Sequence, residues 1–102
     1  MARSRLELHE ILCDILGSRN VYFQPPPTVQ MKYDAIVYTL NDIQAEHADD
    51  KKYVTTKRYS VVAISRNPDS DIYDKLYALP YSDFDRFYTS DNLNHWVFTL
   101  YF

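Results

Sequence analysis

Phe84-Asp-Arg-Phe-Tyr-Thr89, Ser90-Asp-Asn92 and Leu93-Asn-His-Trp-Val-Phe-Thr-Leu-Tyr-Phe102 are the segments on which the fold turns. The outer two are dense in aromatic and β-branched residues, the types that fit a pleated, half-buried surface. The middle one is turn chemistry, since Ser, Asp and Asn side chains bond their own backbone and tolerate left-handed conformations. Together they predict a C-terminal hairpin over residues 84–102. A closing segment as apolar as Phe98–Phe102 is expected inside a sheet, because chain ends fray unless an element ties them down.

Upstream, Arg66-Asn-Pro-Asp-Ser-Asp71 supplies a turn and a helix start, with Asp69 or Ser70 as the cap. Ile72, Leu76 and Leu79 follow at i, i+4 and i+7, and Pro80 closes a helix over 70–79. Residues 35–64 read as one long hairpin. Ala35-Ile-Val-Tyr-Thr-Leu40 is apolar nearly throughout, which predicts a strand covered on both faces. From Lys52 to Ile64 the alternation puts Tyr53, Thr55, Lys57, Tyr59, Val61 and Ala63 on one face. The first half of that strand is polar on both faces and the second half apolar, so the root is expected to be buried and the outer end to project. Asn41 to Lys51 breaks the pattern, and Glu46-His-Ala-Asp-Asp50 reads as a solvated tip. A polar arm this long is unusual in a compact domain unless it contacts something.

Nearest the start, Ser4 and Glu7 have capping-box spacing. Leu8, Ile11, Leu12, Ile15 and Leu16 then form one apolar stripe, with Leu6 and Cys13 beside it, and Gly17 stands where a left-handed cap belongs. This predicts a helix over 4–16. Asn20-Val-Tyr-Phe-Gln24 is a short strand, stopped by Pro25-Pro-Pro27, which stiffens a crossover. The expected architecture is a single α+β domain, residues 1–102: an antiparallel β-sheet with a long projecting β-hairpin and two helices packed on one face.

Composition excludes more than it assigns. The chain holds a single glycine, Gly17, whereas phosphate loops, dinucleotide fingerprints and nucleophile elbows each need several. The formal net charge is −3, which argues against a broad basic face for nucleic acid. No apolar run approaches the roughly 20 residues of a membrane helix. Met1-Ala-Arg-Ser-Arg-Leu-Glu7 runs into charged helix rather than an export signal. Cys13 has no partner cysteine, which predicts no internal disulfide and a reducing compartment.

No set of residues spells out a reaction. His9 and Cys13 lie i, i+4 on a helix, yet a zinc site needs three or four ligands, and His47 and His95 sit on segments without a matching pair. The simpler reading is a solvated His9 and a buried Cys13. Glu46, His47, Asp49 and Asp50 lack the glycine turn of a calcium loop. Nothing sets two of Asp83, Asp85 and Asp91 across one cleft. Arg86, Asn94 and His95 flank the final turn, where they either form weak surface ion pairs or set register across a subunit boundary.

Several segments read together resemble the tail-terminator, or tail-completion, proteins of long-tailed bacteriophages, part of the small neck and head-tail joining group. They are the opening amphipathic helix, Val21-Tyr-Phe-Gln-Pro-Pro26, Tyr33-Asp-Ala-Ile-Val-Tyr38, Ala48-Asp-Asp-Lys-Lys-Tyr53 with Tyr59-Ser-Val61, and Asn67-Pro-Asp-Ser70 leading to Leu76-Tyr-Ala-Leu-Pro80. Asp85-Arg-Phe-Tyr88 and Asp91 to Phe102 complete the set, so the resemblance spans nearly the whole chain. The chain departs from the family pattern at Asp34, where relatives often carry proline, and at Asp50, where asparagine is usual.

The resemblance implies a structural virion protein with no enzymatic activity and no cofactor or metal. Such proteins cap the tail tube as a homohexameric ring and meet the neck. The expected partners are further copies of the chain, the tail tube protein and neck or head-completion proteins. DNA would pass through the lumen without specific binding, no membrane would be involved, and assembly would take place in the host cytoplasm. The interface is expected at Asp42, Glu46, His47, Asp49, Asp50, Lys51, Lys52, Tyr53, Lys57, Arg58, Arg86, Asp91 and His95. The alternatives are a head-completion or stopper protein one layer higher, and a small dimeric ligand-binding or enzymatic α+β barrel. The latter predicts a closed pocket lined by His95, Arg86 and tyrosines.

Overall fold

The structure, a computed structural model, describes residues 5–26, 28, 30, 32–48 and 51–102, with backbone alone at 44–48 and 51–56. Ser4, Pro27, Asp49 and Asp50, invoked above for a cap, a crossover and the arm's tip, lie outside the described residues. In chain order the elements are α1 (Arg5–Leu16), β1 (Val21–Phe23), β2 (Ala35–Ala48), β3 (Lys51–Ser65), α2 (Ile72–Tyr77), β4 (Ser82–Ser90) and β5 (Leu93–Tyr101). The strands form one sheet in the order β1-β2-β3-β5-β4.

The fold is α+β, and the sheet is mixed rather than antiparallel as expected. β1 pairs parallel to β2, with Val21 opposite Ile36 and Phe23 opposite Tyr38. A parallel neighbour requires the chain to return to the end it started from, a connection of about a dozen residues. Residues 24–34 provide it, stiffened by Pro25 and Pro26. The Tyr22 hydroxyl accepts from the Lys32 amide, and the Gln24 amide donates to the Tyr38 carbonyl. Alternation within β1 carries no signature of strand direction.

Both helices bury their stripes on one face of the sheet. α1 contributes Leu8, Leu12 and Cys13, and α2 contributes Ile72 and Leu76. They meet Ile36 and Tyr38 of β2, Tyr59, Val61 and Ala63 of β3, and Trp96, Phe98 and Leu100 of β5, each set spaced two apart as a single strand face requires. Leu6 stays exposed beside the stripe. Among the described residues no helix covers the opposite face, and Val37 and Thr39 on it are only half-buried where both faces of β2 were expected to be covered.

α1 ends at Gly17, whose φ of +78° places it in the left-handed region and whose amide donates to the Cys13 carbonyl. α2 is shorter than 70–79. Asp71 is its N-terminal flanking residue without a side-chain cap, and the Ser70 hydroxyl accepts from the Ile72 amide instead. At its far end the Ser82 hydroxyl donates to the Leu76 and Leu79 carbonyls, satisfying acceptors the helix leaves open. β4 and β5 turn through Asp91 and Asn92, both at positive φ (53° and 62°), the twist that suits a two-residue hairpin.

Candidate subunit interface

The β2–β3 hairpin outruns its sheet. Arg58 is the last β3 residue opposite β5, facing Tyr101, and the Lys57 carbonyl accepts from the Phe102 amide. Among the described residues, 51–56 continue with β2 as their only paired strand, an overhang of roughly 20 Å at strand spacing. The molecule measures 52 × 29 × 22 Å, its long dimension close to the roughly 50 Å that the 15 residues of β3 span at strand spacing. Strand pairing continues to Ala48 opposite Lys51, so Glu46, His47 and Ala48 are strand and not the loop expected from their composition.

Two irregularities shape the arm. Leu40 faces Tyr59 and Asp42 faces Arg58, leaving Asn41 as an extra residue; a second shift lies between Glu46 and His47. A bulge resets the alternation. Leu40 and Ile43, three apart, therefore share the face that carries Tyr59 and Lys57. Ile43 sits directly opposite Lys57 and is 54% exposed. On the other face Asp42 and Arg58 form an ion pair of 3.8 Å between part-exposed side chains, worth at most about 1 kcal/mol.

The same device recurs at the opposite end of the sheet. β4 is an edge strand, and its register with β5 shifts between Phe84 and Arg86, with Asp85 as the extra residue. Phe84 and Phe87 consequently both face the helix side, where they pack on Phe98 and Trp96 with ring centroids 5.4 and 5.5 Å apart. Tyr73 of α2 also stacks on Trp96. Between α2 and β4 these rings, with Tyr77, Pro68 and Asp74, line an open groove of about 500 Å³. Tyr77 is 65%, Phe84 46% and Phe87 48% exposed, an aromatic patch of the kind that marks an interaction surface.

The residues expected at an interface thus fall into two groups. Asp42, Glu46, His47, Lys51, Lys52, Tyr53, Lys57 and Arg58 lie on the arm. Arg86, Asp91 and His95 lie on the β4–β5 hairpin, whose turn is at the other end of the sheet. Tyr88 stacks on His95 at 4.6 Å and Arg86 lies over the Tyr88 ring. His95 and Arg86 do not line the groove, and Asp74 is the one carboxylate among its lining residues. Missing from the sequence-based set are Leu40, Ile43, Tyr77, Phe84 and Phe87. Strict alternation puts residues three apart on opposite faces, so only foreknowledge of the bulges would have grouped them.

Within the body, Arg5 donates to the Tyr38 hydroxyl at 3.2 Å and His9 Nδ1 lies 2.8 Å from the same oxygen. His9 is therefore engaged rather than merely solvated. Burial, then the nearby Arg5 and Arg19 charges, lowers its pKa. Burial raises the Tyr38, Tyr59 and Cys13 pKa values. Among the described residues no group of three or more His, Cys, Asp or Glu side chains is placed to hold a metal ion, and no helix is long and apolar enough to cross a membrane.

Neither a protein-family model nor a curated protein matches this chain.

Proposed function

We propose that this chain is a structural virion protein of a tailed bacteriophage, a tail terminator that closes the tail tube as a homo-oligomeric ring and joins it to the neck. The observation that carries the reading is the overhang. β3 runs for fifteen residues, yet among the described residues its outer ones pair with no strand except β2. An isolated two-stranded ribbon is marginal in water, so a surface that receives it accounts for its length. The family resemblance supplies the class of assembly, and the arm supplies a reason for identical subunits to meet head to tail. A head-to-tail contact between unlike surfaces closes into a ring when the rotation allows.

In this reading the body from α1 to β5 is a rigid stave. The arm sets the angle to the next subunit, six copies surround an opening, and the acidic chain leaves DNA free to slide through. The partners are further copies of itself, the tail tube protein and neck proteins. Deleting Ile43–Asp50 is expected to leave a folded monomer that no longer forms rings by native mass spectrometry. Hexamers that survive the deletion contradict the role of the arm.

A further inference from the structure

The aromatic groove between α2 and β4 lies outside the residues expected to form the interface. We propose that it is the socket for the arm of a second copy of this chain, with Ile43 entering between Tyr77, Phe84 and Phe87 and Lys57 meeting Asp74; this rests on the ring reading and names its contact.

Three observations select that occupant. The first is chemical pairing. On the arm, an exposed aliphatic side chain and a cation sit directly across from one another on one face, at Ile43 and Lys57. In the groove, exposed rings surround one anion, Asp74. Among the described residues neither Lys57 nor Asp74 has an ion-pair partner of its own.

The second is direction. The groove lies along Phe84–Phe98 and Phe87–Trp96, whereas the arm leaves the sheet beyond Tyr101 and runs away from it. The near end of the groove, Phe84, faces Phe98, three residues or roughly 10 Å short of Tyr101, and Ile43 lies beyond Tyr101 and three strands from β4, about 14 Å to the side. A chain cannot fill its own groove, and the contact must be between copies.

The third is what the edge forbids. β4 could otherwise pair with the β4 of a second copy about a two-fold axis. The bulge at Asp85 and the charges of Asp83, Asp85 and Arg86 on that edge are the features that block edge-to-edge pairing. Arm into groove joins unlike surfaces, the arrangement a ring needs.

The test is a charge exchange read by native mass spectrometry and sedimentation velocity. Lys57→Glu alone and Asp74→Lys alone are each expected to raise the midpoint concentration of assembly about tenfold or more, as truncated interfacial charge pairs do. The double variant K57E/D74K is expected to restore it. Circular dichroism melts of the dilute monomers should coincide with wild type, because both groups lie outside the core. A benzophenone amino acid at position 43 should form adducts with groove peptides containing Tyr77, Phe84 or Phe87. Wild-type rings with no rescue in the double variant, or adducts mapping elsewhere, overturn the socket while the ring reading stands. A wild-type chain that stays monomeric at high concentration overturns both.

Discussion

Ile43 and Leu12 are both aliphatic, and truncating each to alanine should give opposite results in two assays. Leu12 is fully buried against the sheet. Removing its outer carbons loses transfer free energy and leaves a cavity, so Leu12→Ala is expected to cost about 2–5 kcal/mol. At roughly 4–8 °C per kcal/mol for a domain near this size, its Tm should fall by about 10 °C or more. Ile43 is 54% exposed at the root of the arm, so Ile43→Ala should change monomer stability by no more than about 0.5 kcal/mol. Covering an isoleucine fully is worth about 1.5–3 kcal/mol, and roughly half of that remains unspent in the free monomer. Each interface should therefore weaken by about 1 kcal/mol, roughly fivefold in its dissociation constant, and a closed ring compounds the loss over every contact. Thermal melts of dilute protein and a sedimentation concentration series read the two effects separately. A large Tm drop for Ile43→Ala would mean that the arm belongs to the core, and an unmoved assembly midpoint would mean that Ile43 touches no neighbour.

Two further outcomes test the body. His9 has a folded pKa below its ordinary value of 6.5, so the unfolded chain binds more protons and stability falls as pH drops through 6.5, levelling off below the lowered folded value. Chemical denaturation from pH 7.5 to 5 should show a shallower loss for His9→Gln than for wild type, and equal slopes would contradict the burial of that ring. Gly17→Ala meets nothing within 4 Å but retains φ near +78°, so its cost is backbone strain alone, about 1–2 kcal/mol by urea titration. A neutral substitution would mean that α1 does not end in a left-handed cap.

How far the sequence carried the fold depended on whether a local period survived to the final structure. The α1 stripe and strand β5 keep their periods from end to end, because each is a regular element without a bulge of its own. The parallel pairing of β1 was not legible, since three residues of strand look alike in either direction and the return through residues 24–34 carries only proline stiffness. The candidate site was half legible. Charged residues on the arm stand out in composition, whereas the aromatic groove is assembled by the bulges at Asn41 and Asp85, which rotate Ile43 and Phe87 onto faces that simple alternation denies them. The polar run at Glu46–Ala48 reads as a loop because charged and small residues carry little strand propensity of their own.

The central claim is that identical copies join arm to groove around an opening. Electron microscopy of the purified full-length chain at tens of micromolar tests it directly. Closed rings with an axial hole, lost on deletion of Ile43–Asp50, are the predicted result. Particles that remain monomeric, or that pair about a two-fold axis into dimers without a hole, would contradict it.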